Sequence, residues 1–245
     1  LHSFPTRRSS DLWQTFRDRH IEKLTLAFAT QTGKSEALMN MLLYAIAQDP
    51  GPVLFVYPTD ELAKSISKNR IMPMIRLCDV LFDKWIEDSS EILELQFLGV
   101  YVALVGANSP SKLASRPVRY LFFDETDKFP LYTGKEGKPT ELAGERTKNF
   151  HNSKQIEASS PTLANGHIWE SFKHAEVSKR YFVPCPHCGE MQTFKLSGVK
   201  WPEELNEGFL REERAERVLH SSWYECERCV CQRSEERRVG KECRS

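Results

Sequence analysis

A mostly parallel β-sheet with helices on both faces is the fold class this sequence predicts, and three observations predict it. Short apolar runs alternate with segments of helical period from Lys23 onward. A Gly33-Lys34-Ser35 turn joins the first apolar run to the first helical segment. A later apolar run ends on paired acids, Asp124-Glu125.

The elements follow in order. Lys23 to Ala29 reads as a first buried strand, and Ala37, Leu38, Met41, Leu42 and Ala45 recur at helical spacing up to about Gln48. Pro50-Gly51-Pro52 stops that helix, and Val53 to Tyr57 is the next strand. Pro58-Thr59-Asp60 caps a further helix that Pro73 should break or kink. Ile92–Phe97 and Val100–Gly106, with Gly99 between, read as a hairpin, and Asn108 to Lys112 as a loop. Val118 to Phe123 is the strand that carries the acids. A mobile loop is expected over 132–140, a late strand over Gln155–Ser159 and a helix over Ile168–Val177. After Tyr181 short strands, turns and cysteines take over.

The chain has 245 residues, with 34 basic and 34 acidic ones. Residues 1–12 and 233–245 resemble the two strands of a sequencing-adapter oligonucleotide in translation, and are expected to be artefact and poorly ordered. Between them, residues 13–179 suit one α/β domain and 180–232 a small appendage. This interior carries 27 basic and 30 acidic residues, so bulk charge does not attract a polyanion, and a nucleic-acid contact needs a local patch. No stretch of 18 apolar residues is present, so no membrane partner is expected.

The segment Thr30-Gln31-Thr32-Gly33-Lys34-Ser35 lies between strand and helix. In that setting backbone N–H groups cradle phosphates, Lys34 reaches the β- and γ-phosphates, and the Ser35 hydroxyl binds Mg²⁺. The pattern departs from a full phosphate loop, because Phe28 stands where a Gly is expected. Asp124 at the end of its strand would orient Mg²⁺, and Glu125 would align the attacking water. Together these motifs predict a P-loop NTPase sheet of the RecA-like (ASCE) kind that hydrolyses ATP with Mg²⁺. Asp124-Glu125-Thr126-Asp127 also matches the Asp-Glu-x-Asp box of helicases.

Of seven cysteines, Cys185, Cys188, Cys226 and Cys229 form two Cys-x-x-Cys knuckles with 37 residues between them. Four thiolates close a tetrahedral Zn²⁺ site with no open position, so a structural zinc ribbon is expected. Cys231 is a spare thiol, and Val230 stands where a Gly is usual, so Cys231 competes with Cys229 for the last ligand position. Cys78 reads as core.

Further segments resemble the large terminase subunit of lambda-like tailed phages. They are Tyr57-Pro58-Thr59, the run Gly106 to Tyr120, Asp124 to Pro130, Glu145 to Phe150, Ser159-Ser160-Pro161-Thr162 and the Cys-Pro-His-Cys-Gly unit at 185–189. The resemblance implies a DNA-packaging ATPase, with an endonuclease domain absent here. It makes Ser160 and Thr162 part of a coupling motif that senses the γ-phosphate. It also implies double-stranded DNA, a portal protein and a small terminase subunit as partners, a homo-oligomer during packaging, and the cytoplasm of the bacterial host as location. The catalytic arginine is not identified, with Arg116, Arg119 and Arg146 as candidates.

Two alternatives remain open from the residues. A helicase-type ATPase needs a second RecA-like domain, for which the chain has no room. A non-enzymatic zinc-ribbon DNA-binding module would bind DNA without nucleotide dependence.

Overall fold

In the computed structural model, residues 7–134, 137–206, 213, 217, 218 and 220–233 are described. The chain divides into two units between Val177 and Ser178.

The first unit begins with α1 (Arg7–Arg17), which starts inside the segment set aside as adapter-like. Its Leu12 packs against the core and its Phe16 is buried in it. The expected disorder of 1–6 and 234–245 falls outside the described residues. Strand β1 (Lys23–Ala27) leads through the Gly33 turn into α2 (Lys34–Ala47), which buries Leu38, Met41, Leu42 and Ala45 of the residues at helical spacing and half-buries Ala37. Strand β2 (Val53–Tyr57) is buried along its whole length. Helix α3 (Asp60–Ile66) starts at Thr59, whose hydroxyl accepts from the Leu62 N–H at 3.2 Å.

Pro73 neither breaks nor ends this helix. A π-helical turn, Ser67–Ile71, joins α3 to α4 (Met72–Arg76), with Pro73 in the first turn of α4. The wider turn lets Met72 N–H bond the Ser67 carbonyl, five residues back, so the register shifts before Pro73 withdraws its donor. Helix α5 (Asp79–Phe82) follows, and Cys78 packs against the core.

β3 (Glu94–Phe97) and β4 (Val100–Gly106) form the expected antiparallel hairpin. The run Asn108–Lys112, expected as a loop, instead holds the start of a short helix, α6 (Pro110–Leu113), with Pro110 at its first turn. Asp60 anchors it by accepting from Gly106 N–H at 2.7 Å, the Ser109 hydroxyl at 3.1 Å and Lys112 Nζ at 2.8 Å. β5 (Tyr120–Asp124), α7 (Pro139–Gly144), β6 (Lys154–Ser159) and α8 (His167–Lys173) complete the unit. In the segment expected to be mobile, residues 135 and 136 are outside the described ones. Thr133 is buried, with its hydroxyl on the Ala107 carbonyl at 2.8 Å.

The six strands lie in the order β1-β6-β5-β2-β4-β3, parallel except for β3. β2 and β5 are buried throughout, and β5 is apolar up to its last residue, Asp124, because both faces of the sheet are covered. One face carries α2 and the core of Phe55, Tyr57, Phe122 and Ile156. The other carries Leu54, Val56, Leu121 and Phe123 against Leu113 of α6 and Ala143 of α7. The fold class is therefore the expected one. No helix among the described residues is long and apolar enough to cross a membrane.

In the second unit β7 (Val183–Pro184) pairs antiparallel with β8 (Met191–Gln192). β9 (Val199–Lys200), β10 (Trp223–Glu225) and β11 (Gln232–Arg233) form a separate three-stranded sheet.

Candidate nucleotide site and cysteine cluster

β6 runs between β1 and β5, so the three carboxyl ends open side by side. The loop after β1 meets the acids after β5 across the end of β6. Crevices at the carboxyl ends of parallel strands are where such sheets bind ligands.

The loop Thr30 to Gly33 has two left-handed residues, Gln31 at φ 56° and Gly33 at φ 86°. Thr32 donates from its hydroxyl to the Ala29 carbonyl at 2.7 Å. Phe28 is not left-handed, and its ring packs against the core, so the backbone here does not require the Gly that the motif lacks. No side chain caps α2, which leaves its first N–H groups facing the loop.

Lys34 is buried and donates from Nζ to Ser160 Oγ at 3.0 Å. Asp124 is buried one strand further on. Burial raises its pKa, against a lowering hydrogen bond from the Ser35 hydroxyl, while the Glu125 charge pushes it up further. Its Oδ1 has no hydrogen-bond partner, and neither have the buried Tyr57 hydroxyl and Thr126 Oγ1. Hydroxyl and carboxylate oxygens beside a buried lysine are the donor set of a hard divalent cation with phosphate, so these residues fit Mg²⁺ with a nucleotide.

Glu125 sits at φ 61° and ψ 47°, a costly conformation for a residue with a side chain. Its N–H bonds the Ala158 carbonyl at 2.7 Å, and its carboxylate pairs with Lys128 at 2.7 Å. Ser160 and Thr162, expected to act as one coupling motif, part company. Ser160 holds Lys34, whereas Thr162 turns to Asp127, whose Oδ2 accepts from the Thr162 N–H at 2.9 Å and hydroxyl at 3.0 Å.

Asp127 is the residue that sequence reasoning undervalued. Its Oδ1 accepts from Ile168 N–H at 2.9 Å in the first turn of α8, and its own N–H donates to Ser159 Oγ at 3.2 Å. A Cβ on Gly166 would come within 2.5 Å of this carboxylate, so the close approach requires glycine. The Asp-Glu-x-Asp spacing was the available signal.

The arginine candidates lie elsewhere. Arg119 forms a two-pronged pair with Asp49 at 2.8 and 2.6 Å, before the start of β5. Arg146 bonds the Ala114 carbonyl, and its own carbonyl accepts from Val118 N–H, also at that end of β5. Arg116 pairs with Glu94 at 3.6 Å.

In the second unit Cys185, Cys188, Cys226 and Cys229 place their sulfurs within 4.8 Å of one another. Cys185 to Cys229 is 3.7 Å and Cys188 to Cys226 is 3.8 Å. A tetrahedron of zinc–sulfur bonds of about 2.3 Å needs sulfurs roughly 3.8 Å apart, so the cluster fits zinc. Burial raises the Cys185 thiol, but N–H groups of Cys188 and His187 and the neighbouring thiols bring it down to about 6. The knuckles share one backbone. Cys185 N–H bonds the Glu190 carbonyl as Cys226 N–H bonds that of Cys231, and left-handed Gly189 (φ 73°) corresponds to Val230 (φ 58°). Cys231 thus occupies the position of Glu190, with its sulfur 3.9 Å from Cys185.

The family of the phage terminase large subunit gpA ATPase domain matches residues 8–244. The chain is 26% identical over 216 residues to the terminase large subunit of Enterobacteria phage P21, covering 82% of this chain and 34% of that protein. To the terminase large subunit of Escherichia phage lambda it is 25% identical over 195 residues, covering 74% and 30%. The chain thus spans about a third of the curated relatives it matches. Among solved structures, the HK97 bacteriophage large terminase is similar with a TM-score of 0.56 at 15% identity, over 70% of this chain and 37% of that one. The ATPase domain of the Thermus phage P74-26 large terminase gives 0.53 at 16%, over 79% of each chain. At such identities these two likenesses speak for the fold.

Proposed function

Because the chain belongs to the phage terminase large subunit gpA ATPase family, we propose that it is the ATP-hydrolysing part of a DNA-packaging motor. In this reading it couples Mg²⁺-dependent ATP hydrolysis to movement of double-stranded DNA into a procapsid, in the cytoplasm of the infected bacterium. Portal protein, small terminase subunit and further copies of the chain are its partners.

The observation that carries the reading is the contact of Lys34 Nζ with Ser160 Oγ at 3.0 Å, with the Ser35 hydroxyl near enough to Asp124 to lower its pKa. It brings the phosphate loop, the acids and the coupling segment to one point. Lys34 and the N–H groups of Thr30 to Ser35 hold the phosphates. Ser35 and Asp124 would hold Mg²⁺, which would supply neutralising charge to the phosphates. Glu125 orients the attacking water, after exchanging Lys128 for it. Ser160 is displaced from Lys34 when phosphate arrives, and Thr162 carries that movement through Asp127 to α8. Cys185, Cys188, Cys226 and Cys229 hold a structural zinc.

The test is phosphate release and nucleotide binding by the wild type, Lys34→Ala and Glu125→Gln. Lys34→Ala should lose both, and Glu125→Gln should bind ATP while turnover falls by at least 100-fold. Equal ATP binding by wild type and Lys34→Ala removes the site assignment. Strand separation of duplex DNA would favour the helicase class instead.

A further inference from the structure

We propose that Tyr57 is a positioning residue of the phosphate site, its hydroxyl holding a water bound to the divalent cation beside Asp124. This rests on the nucleotide reading above and adds a residue to it.

Tyr57 is the last residue of β2 and is 2% exposed. Neighbouring β5 is in register with Val56 opposite Phe123, so Tyr57 lies level with Asp124, one step further on. Laterally paired residues of parallel strands point to the same face. The rings mark which face: Tyr57 stacks on Phe55 at 4.6 Å, and Phe55 meets Phe122 at 5.3 Å. That face is the one covered by α2, whose first turn holds Lys34 and Ser35. Arg70 closes the same corner, paired with Glu36 of that turn at 2.7 Å. Burial, and then the Asp124 charge, push the Tyr57 pKa up, which agrees with a phenol beside that carboxylate.

The Tyr57 hydroxyl and Asp124 Oδ1 are both buried and both without a hydrogen-bond partner. A buried polar atom left unpaired is costly, and native proteins rarely keep two together without use. They do not pair with each other, so a third polar group is called for. A cation-bound water is a strong donor with two protons, one for Asp124 Oδ1 and one for the Tyr57 oxygen. The π-helical turn adds a reason for the site to sit here: it carries Arg70, and such turns recur at functional sites.

Tyr57→Phe in the full chain tests this by thermal unfolding and by binding of a fluorescent ATP analogue, each titrated with Mg²⁺, beside wild type and Lys34→Ala. Without ligand the variant should melt at or above the wild-type temperature, because the ring stays and only an unpaired hydroxyl goes. The Mg²⁺ concentration for half-maximal nucleotide-induced stabilisation should rise about three- to tenfold, the worth of one hydrogen bond. Analogue binding in EDTA should match wild type. An unchanged Mg²⁺ dependence overturns the role of Tyr57 and leaves the phosphate site standing. A ligand-free variant that melts several degrees lower also overturns it, since the hydroxyl would then have a protein partner. A wild type whose nucleotide response ignores Mg²⁺ and matches Lys34→Ala overturns both readings.

Discussion

Replacing Asp127 by Ala should loosen the coupling segment from the acids that precede it. The carboxylate accepts three hydrogen bonds, from the Thr162 N–H, the Thr162 hydroxyl and Ile168 N–H. The Ile168 bond works as a cap on α8, and losing such a cap costs about 1 kcal/mol. Thr162 is exposed, so water takes over its two groups, and those bonds are worth about 1–1.5 kcal/mol together. The total is about 2–2.5 kcal/mol, a fall in melting temperature of roughly 5–9 °C for a domain of this size. Asp127→Asn should recover about half, because the amide oxygen can still cap Ile168 while the amide nitrogen cannot accept from Thr162. The assay is thermal unfolding with and without Mg²⁺ and ATP. The stabilisation by nucleotide should shrink in both variants, because Thr162 is no longer moored through residue 127 to α8. An Asp127→Ala protein that melts within 1 °C of wild type would refute the reasoning.

Two more predictions concern sites away from the nucleotide. Burial pushes the Asp49 carboxyl up, but hydrogen bonds from Arg119 and Tyr120 outweigh it, and its pKa is lowered. A lowered carboxyl stabilises above its unfolded value of about 3.9 and loses that contribution as pH falls through the folded value. Asp49→Asn should therefore cost about 1 kcal/mol at pH 7, held down by the exposure of Asp49. The gap in melting temperature from wild type should close below about pH 4; a gap constant with pH would count against it. In the cysteine cluster proposed to hold zinc, Val230 has a left-handed conformation that costs a β-branched residue about 1–2 kcal/mol. Val230→Gly should slow zinc removal by a chelator, followed by metal release and by unfolding of the second unit. Equal release rates would mean that Val230 is unstrained in the metal-bound state.

The fold class, the hairpin, the Gly33-Lys34-Ser35 turn and the cysteine knuckles were legible because each is written in neighbouring residues. Apolar period, a left-handed glycine and Cys-x-x-Cys spacing act within a few positions of the chain. Local rules left open how the helix meets Pro73 and misread the run Asn108–Lys112. A π-turn absorbs the missing donor of the first, and Asp60, about 50 residues back, organises the second. They also left Phe28 as a defect in the motif, since its negative φ and its place against the core emerge only on folding.

What the sequence by itself determined was the fold class, the Gly33-Lys34-Ser35 turn between strand and helix, and the two Cys-x-x-Cys pairs. What only the tertiary structure decided was who their neighbours are. The lateral order β1-β6-β5-β2 sets Ser160 on Lys34, 126 residues apart, and Thr162 on Asp127, 35 apart. The same order sets Tyr57 level with Asp124. Strand order follows from the burial of both faces of the sheet at once, a sum over contacts distant in the chain, and no local pattern of residues encodes it.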